Sequence, residues 1–178
     1  METWILLALH AHAGPLLDVL FRVSHVLGGQ DFCSVLVLSA AAFHLLRGER
    51  REAVAWLSVG ILTAVVIVAL KTLAVRPRPE LWPRIVSQGG SSFPSGHAVV
   101  SAALYPLLGW MLTRARPRLR PLALLLGLTT ALLVGLGRLY LGLHWPTDVV
   151  AGWTLGALES VAAIAWLRRS ESGPGRSV

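Results

Sequence analysis

Charge is what this chain has least of. Only 14% of its 178 residues are Asp, Glu, Lys or Arg, against about 25% in a soluble domain, which excludes an ordinary water-facing surface over most of the chain. Cysteine is almost missing. Cys33 stands alone, so no internal disulfide and no cysteine-built zinc site is available, and its place inside an apolar run reads as a small buried or lipid-facing residue. Acids number nine, and the later ones, Glu80, Asp148, Glu159 and Glu171, do not gather as magnesium or calcium sites require. No metal and no cofactor is expected. Lysine occurs once, as Lys71, in a chain that otherwise uses arginine.

What is present is apolar. The hydrophobic fraction is 54% and the mean hydropathy +0.65. The formal charge of +7 does not point to nucleic acid, because the arginines fall in short clusters between apolar runs and not along one face. The expected partner is the bilayer. The segment 1–9 is apolar but lacks a basic lead, which argues against a cleaved signal peptide.

A hydrocarbon core about 30 Å thick takes roughly 20 helical residues to cross. Five segments qualify, with soft ends: 32–46, 53–75, 97–113, 122–136 and 146–167, of which the first and fourth are short and are expected to gain a turn from their flanks. Residues 1–29 are broken by Gly14-Pro15, and Leu16 to Leu27 reads as an amphipathic helix lying in the interface or as part of a sixth span. The expected fold is an all-α polytopic transmembrane helical bundle of five or six spans. Its expected divisions are an N-terminal interfacial segment 1–29, a catalytic helical domain 30–170 and a disordered cytoplasmic tail 171–178. Arg47, Arg50 and Arg51, then Arg114, Arg116, Arg118 and Arg120, then Arg168 and Arg169, all fall on one side, which the positive-inside rule makes cytoplasmic. Trp56, Trp82, Trp110, Trp145 and Trp166 sit near span ends and read as interfacial anchors. His10, His12 and His25 read as interfacial, Arg76 and Arg84 as surface charges. Gly135 and Gly142 suit close helix packing.

Three motifs fall on the opposite, extracytoplasmic side. In the first, Lys71 lies near a span end, where a charge marks a functional candidate, and Arg78 follows a break at Pro77. The second is Ser92-Phe93-Pro94-Ser95-Gly96-His97. Ser95 suits a helix N-cap, Gly96 admits close backbone approach, and the first turn offers free N–H donors to a phosphate. The third runs from Arg138 through His144 to Asp148. Pro146 suits the first helical turn, and the four-residue spacing can bring the Asp148 carboxylate to the His144 ring, where it would fix the tautomer and raise basicity; the other reading is that Asp148 only favours the helix N-terminus. Glu159, within the last span, is an intramembrane acid that can pair with a histidine such as His44 or face water.

These residues resemble the type 2 phosphatidic acid phosphatase family, whose signature is Lys-x6-Arg-Pro, Pro-Ser-Gly-His and Ser-Arg-x5-His-x3-Asp. Here they are Lys71…Arg78-Pro79, Pro94-Ser95-Gly96-His97 and Arg138…His144…Asp148, with Gly137 in place of the signature serine. The resemblance implies a metal-independent lipid phosphatase. His144 would be the nucleophile, Asp148 its orienting carboxylate and His97 the leaving-group acid. Lys71, Arg78, Ser95, Gly96 and Arg138 would bind the phosphate. It implies a lipid phosphate or diphosphate substrate, undecaprenyl diphosphate first, with phosphatidylglycerol phosphate, phosphatidic acid or lipid A as rivals. The expected location is the cell membrane, with the C-terminus cytoplasmic. A transporter or flippase is the alternative from another class, but it would spread its charges along a path. Oligomeric state is not legible.

Overall fold

The computed structural model describes residues 1–83, 86 and 88–171, the side chains of Ser170 and Glu171 excepted. Among the described residues seven α-helices follow one another: α1 Glu2–His10, α2 Pro15–Leu27, α3 Gln30–Leu46, α4 Arg50–Ala74, α5 Gly96–Leu112, α6 Arg120–Tyr140 and α7 Pro146–Glu171. No strand occurs among the described residues. The last five helices match the five expected apolar segments, with ends moved by four residues or fewer.

Among the described residues three helices are long and apolar enough to cross a membrane: α4, α6 with the 3₁₀ turn before it, and α7. Helices α2 and α3 together qualify as one span bent by 48°. α5 is apolar but has only 17 residues, about 26 Å of helix. Exposed Ile61, Leu62, Val65 and Val68 on α4, and Leu122, Leu125, Leu126 and Leu132 on α6, face outward. An apolar outer surface of this kind suits hydrocarbon, in which each helix satisfies its own backbone.

α5 is the buried axis. It packs on α6 and α7, and small residues set the distance. A Cβ added at Gly156 of α7 would lie 2.1 Å from the Val99 carbonyl, and one at Gly127 of α6 would lie 2.6 Å from the Tyr105 carbonyl. Backbones this close leave room for no side chain, so the interfaces draw on small residues. Gly135 does the same beneath Trp153, as expected. Gly142 instead holds φ +66° in the turn after α6, against Trp82.

Two expectations need correction. Trp56 and Trp110 are each 1% exposed and belong to the core with Leu104, Leu107 and Leu167, because α4 and α5 turn those faces inward. Glu159 does not meet His44. It accepts a hydrogen bond from Thr63 Oγ1, joining α7 to α4, while His44 Nδ1 lies 2.6 Å from Glu49.

The bundle has two distinct ends. Glu52 pairs with Arg114, and the Arg51 guanidinium lies 4.8 Å above the Trp166 ring, so the arginine clusters share one end. The ends of α4, α5, α6 and α7 that carry the three motifs meet at the other. There α1 and α2 join them: Leu6 is fully buried with Ala98, Leu139 and Val149, and α2 buries Phe21 and Ser24 in its packing on α6.

Candidate active site

Each site residue is delivered by a helix end or a tight loop. Val75 ends α4 in the left-handed conformation, φ 40°, which costs a β-branched residue roughly 1–3 kcal/mol. The chain turns there and carries Arg76 and Arg78 back over the bundle. Ser95 is the N-cap residue of α5 but makes no side-chain cap. Its backbone N–H donates instead to the Asp148 carbonyl at 3.0 Å, tying α5 to α7. Pro146 opens α7 as expected and places Asp148 in the first turn.

The eight expected residues come together. Arg78 Nη1 donates to the Leu143 carbonyl at 2.7 Å and lies 3.0 Å from His144 Nε2. Lys71 Nζ donates to the Ser91 carbonyl at 2.6 Å, and Arg78 Nη2 reaches the same carbonyl at 3.2 Å. Arg138 is fully buried. His144 Nδ1 faces Asp148 Oδ2 at 3.7 Å, beyond a hydrogen bond but close enough for charge to be felt. Gly96 is not dictated by packing, since an added Cβ would meet only Ile67 at 3.6 Å. Ser95 Oγ, His97 Nε2 and Arg138 Nε are all buried with no hydrogen-bond partner among the described residues. Buried polar atoms are seldom left so, and Arg138, Arg78 and Lys71 all lie near enough for their charges to act on the His144 ring.

The tautomer of His144 follows. A guanidinium only donates, so Nε2 is the bare, accepting nitrogen and the ring hydrogen is on Nδ1, toward Asp148. Burial, then the charges of Arg138, Arg78 and Lys71, outweigh Asp148 and press the His144 pKa down to about 4. The ring is neutral at neutral pH, and its Nε2 lone pair accepts from Arg78 Nη1.

Four residues escaped the sequence reading. Arg76 is no surface charge: Nη1 donates to Asp148 Oδ1 at 2.6 Å. Arg84 lies outside the described residues. Ser92 donates to Asp148 Oδ2. His25 is not a free interfacial ring. It stacks on His97 with centroids 4.9 Å apart, and its Nδ1 lies 2.5 Å from Arg138 Nη1, while Arg138 Nη2 donates to Gln88. Ser92 sits inside the second motif and Arg76 two residues before Arg78. His25 and Gln88 carry no local signal, since only the fold brings α2 and the loop to Arg138.

Gly137 has a structural reason. A Cβ there would lie 2.4 Å from Ser24 Oγ and 3.1 Å from the Phe21 ring. The hydroxyl of α2 fills the space a serine at 137 would take.

From Lys71, Gly96 and His97 a groove of about 450 Å³ runs down between α3, α4 and α5, past Ile67, Ala64 and Gly60 to Val37. Its upper end is cationic and its length apolar.

An apolar helical bundle with a cationic, histidine-bearing pocket at one end, opening into a lengthwise groove, defines a membrane-embedded protein of the phosphate-handling class. The PAP2 superfamily profile matches residues 33–172, and the chain belongs to that superfamily. It is 38% identical to phosphatidylglycerophosphatase B of Bacillus subtilis over 92 residues, 50% of this chain and 45% of that protein. It is 40% identical to an undecaprenyl-diphosphatase of Sulfolobus acidocaldarius over 78 residues, 41% of this chain and 32% of the other. The matches thus span less than half the length of these curated relatives. The fold is similar to the crystal structure of a transmembrane PAP2-type phosphatidylglycerolphosphate phosphatase from Bacillus subtilis. The TM-score is 0.85 at 28% identity, covering 98% of this chain and 87% of that one.

Proposed function

We propose that this protein hydrolyses the phosphate of a membrane lipid through a phosphohistidine on His144, with no metal ion. The observation that carries the reading is a buried histidine, His144, whose Nε2 accepts from Arg78 and which feels the charges of Arg138, Arg78 and Lys71, with Asp148 at its other nitrogen. Lys71, Arg78, Arg138, Ser95 Oγ and the Gly96 N–H hold the phosphoryl oxygens. Nε2 of His144 attacks phosphorus as the P–O bond to the lipid breaks, and His97 gives the departing oxygen its proton. Asp148 balances the positive ring. Water then attacks the phosphohistidine, His97 takes its proton, and His144 leaves neutral. Phosphoryl transfer asks mainly for positioning and charge stabilisation, which three fixed cations and a helix N-terminus supply.

The groove supports a lipid substrate, since it gives an acyl or prenyl tail an apolar path from the cationic pocket into the bundle. Undecaprenyl diphosphate is the headgroup expected from the sequence. Phosphatidylglycerol phosphate is the second reading, favoured by the likeness to the Bacillus subtilis sequence and to the Bacillus subtilis crystal structure. The positive-inside pattern supports a pocket on the extracytoplasmic face with the C-terminus cytoplasmic.

The test is free phosphate released by purified protein in detergent from a panel of both lipids, phosphatidic acid and lipid A, with and without EDTA. Turnover unaffected by EDTA is expected on at least one lipid. Loss in EDTA restored by magnesium would count against the metal-free mechanism.

A further inference from the structure

Asp148 is fully buried, and three groups besides His144 address it. Oδ2 accepts from Ser92 Oγ and from the Trp145 N–H, the latter at 2.8 Å. Oδ1 accepts from Arg76 Nη1 at 2.6 Å. The same guanidinium turns its other terminal nitrogen to α1, where Nη2 donates to Glu2 Oε2 at 2.7 Å. Glu2 Oε1 in turn accepts from the Thr147 N–H at 3.0 Å and from Thr147 Oγ1 at 2.7 Å. One carboxylate, 74 residues before Arg76 in the chain, thus holds the guanidinium and the first turn of α7 together.

The charges make this more than a staple. Arg76 and Asp148 alone sum to zero, so a paired Asp148 has little net charge to set against a ring that becomes positive as it attacks. Among the described residues, the titratable groups around the Asp148–His144 pair, Arg76 and Glu2 apart, are cationic or histidine: Lys71 from α4, Arg78 from the loop, His97 from α5, Arg138 from α6, and His25 from α2 beside Arg138. Glu2 returns one negative charge to the back of the nucleophile. Burial would raise the Glu2 pKa, but the hydrogen bonds from Thr147 and the charge of Arg76 hold it below the ordinary carboxylate value, so it stays ionised at neutral pH.

We propose that Glu2 is a positioning residue for the nucleophile, sharing Arg76 so that Asp148 keeps net negative charge against His144 and tying α1 to the start of α7. The inference rests on His144 being the nucleophile.

The experiment compares kcat, KM and pH profiles of wild type, Glu2→Gln, Glu2→Ala and Glu2→Asp in detergent on one lipid phosphate, with rates normalised to active sites. Partners one step removed from a reacting group commonly change activity by 10–100-fold, and a fall of about tenfold in kcat is expected for Glu2→Gln and Glu2→Ala, with KM little changed. Losing a negative charge lowers the His144 pKa, so the acid limb of the profile moves to lower pH in both. Glu2→Asp, which keeps the charge, holds the limb in place and recovers part of the rate. Glu49→Gln removes the same charge at the opposite end of the bundle and leaves both readouts alone. Wild-type kcat in Glu2→Gln overturns the proposal. So does a lowered kcat with an unmoved acid limb and Glu2→Asp as slow as Glu2→Ala. A wild type that releases no phosphate from any lipid overturns the phosphatase reading and this inference together. An active wild type with an unresponsive Glu2→Gln overturns this inference alone.

Discussion

Arg78 Nη1 lies 3.0 Å from Nε2 of His144, a contact in which the arginine can only be the donor. It marks Nε2 as the nitrogen without hydrogen and leaves Nδ1–H for Asp148. Ring ¹⁵N shifts of His144 in labelled protein should therefore report a neutral Nδ1–H tautomer at pH 7. Because the pKa is depressed from 6.5 to about 4, the neutral ring's contribution to stability is complete above pH 6.5 and is lost as pH falls toward 4. A ring already cationic at pH 7 would contradict the geometry.

Arg138 divides its donors between His25 and Gln88 and leaves Nε free in the pocket. A lysine cannot reproduce that fork. Arg138→Lys should lower kcat by roughly 10²-fold, the scale of losing one charge-stabilising donor, although the formal charge is kept. Near-wild-type turnover in this variant would mean that charge alone suffices.

Gly137 and Ser24 compete for one space, since a Cβ at 137 would sit 2.4 Å from Ser24 Oγ. Gly137→Ser alone should destabilise the protein by about 1–3 kcal/mol through overpacking. Ser24→Gly combined with Gly137→Ser should restore most of that loss, read as the thermal unfolding midpoint in detergent. Additive losses in the double variant would show that α2 does not hold Gly137 in this way.

The groove can be blocked without touching the phosphate pocket. Ala64 lines its wall about two turns from Lys71 along α4. Ala64→Phe should raise KM for a long-chain lipid phosphate well above that for a short, soluble phosphate ester. Equal effects on the two substrates would place the tail elsewhere.

Thr63 and Glu159 form a buried pair between α4 and α7. Thr63→Val leaves the carboxyl without its donor and should lower stability by about 1–3 kcal/mol. Glu159→Gln, which can still accept from Thr63, should cost less. The comparison of unfolding midpoints measures what the pair contributes to holding α4 on α7.

The helices were legible because each apolar run ends at an arginine or a glycine, signals that act locally. The candidate site residues were legible for the same reason: Lys71, Arg78, Ser95, Gly96, His97, Arg138, His144 and Asp148 lie in three short motifs at helix ends. What escaped depends on contacts distant in sequence. Arg76 looks like any surface arginine until Val75 turns it onto Asp148. His25 and Gln88 have no neighbours in sequence that suggest Arg138. Trp56 and Trp110 lie near span ends, as anchors do, and only the rotation of α4 and α5 shows that they face inward. Glu159 stands out in the sequence as an acid within an apolar helix, but spacing does not reveal its partner, Thr63.

The most direct test of the central claim is to quench turnover of a ³²P-labelled lipid phosphate within the first cycle and locate the label. A base-stable, acid-labile phosphohistidine on His144, absent in His144→Ala protein that still binds lipid, is the expected result. Label on Ser95 or another residue, or phosphate release at wild-type rate by His144→Ala, would contradict it.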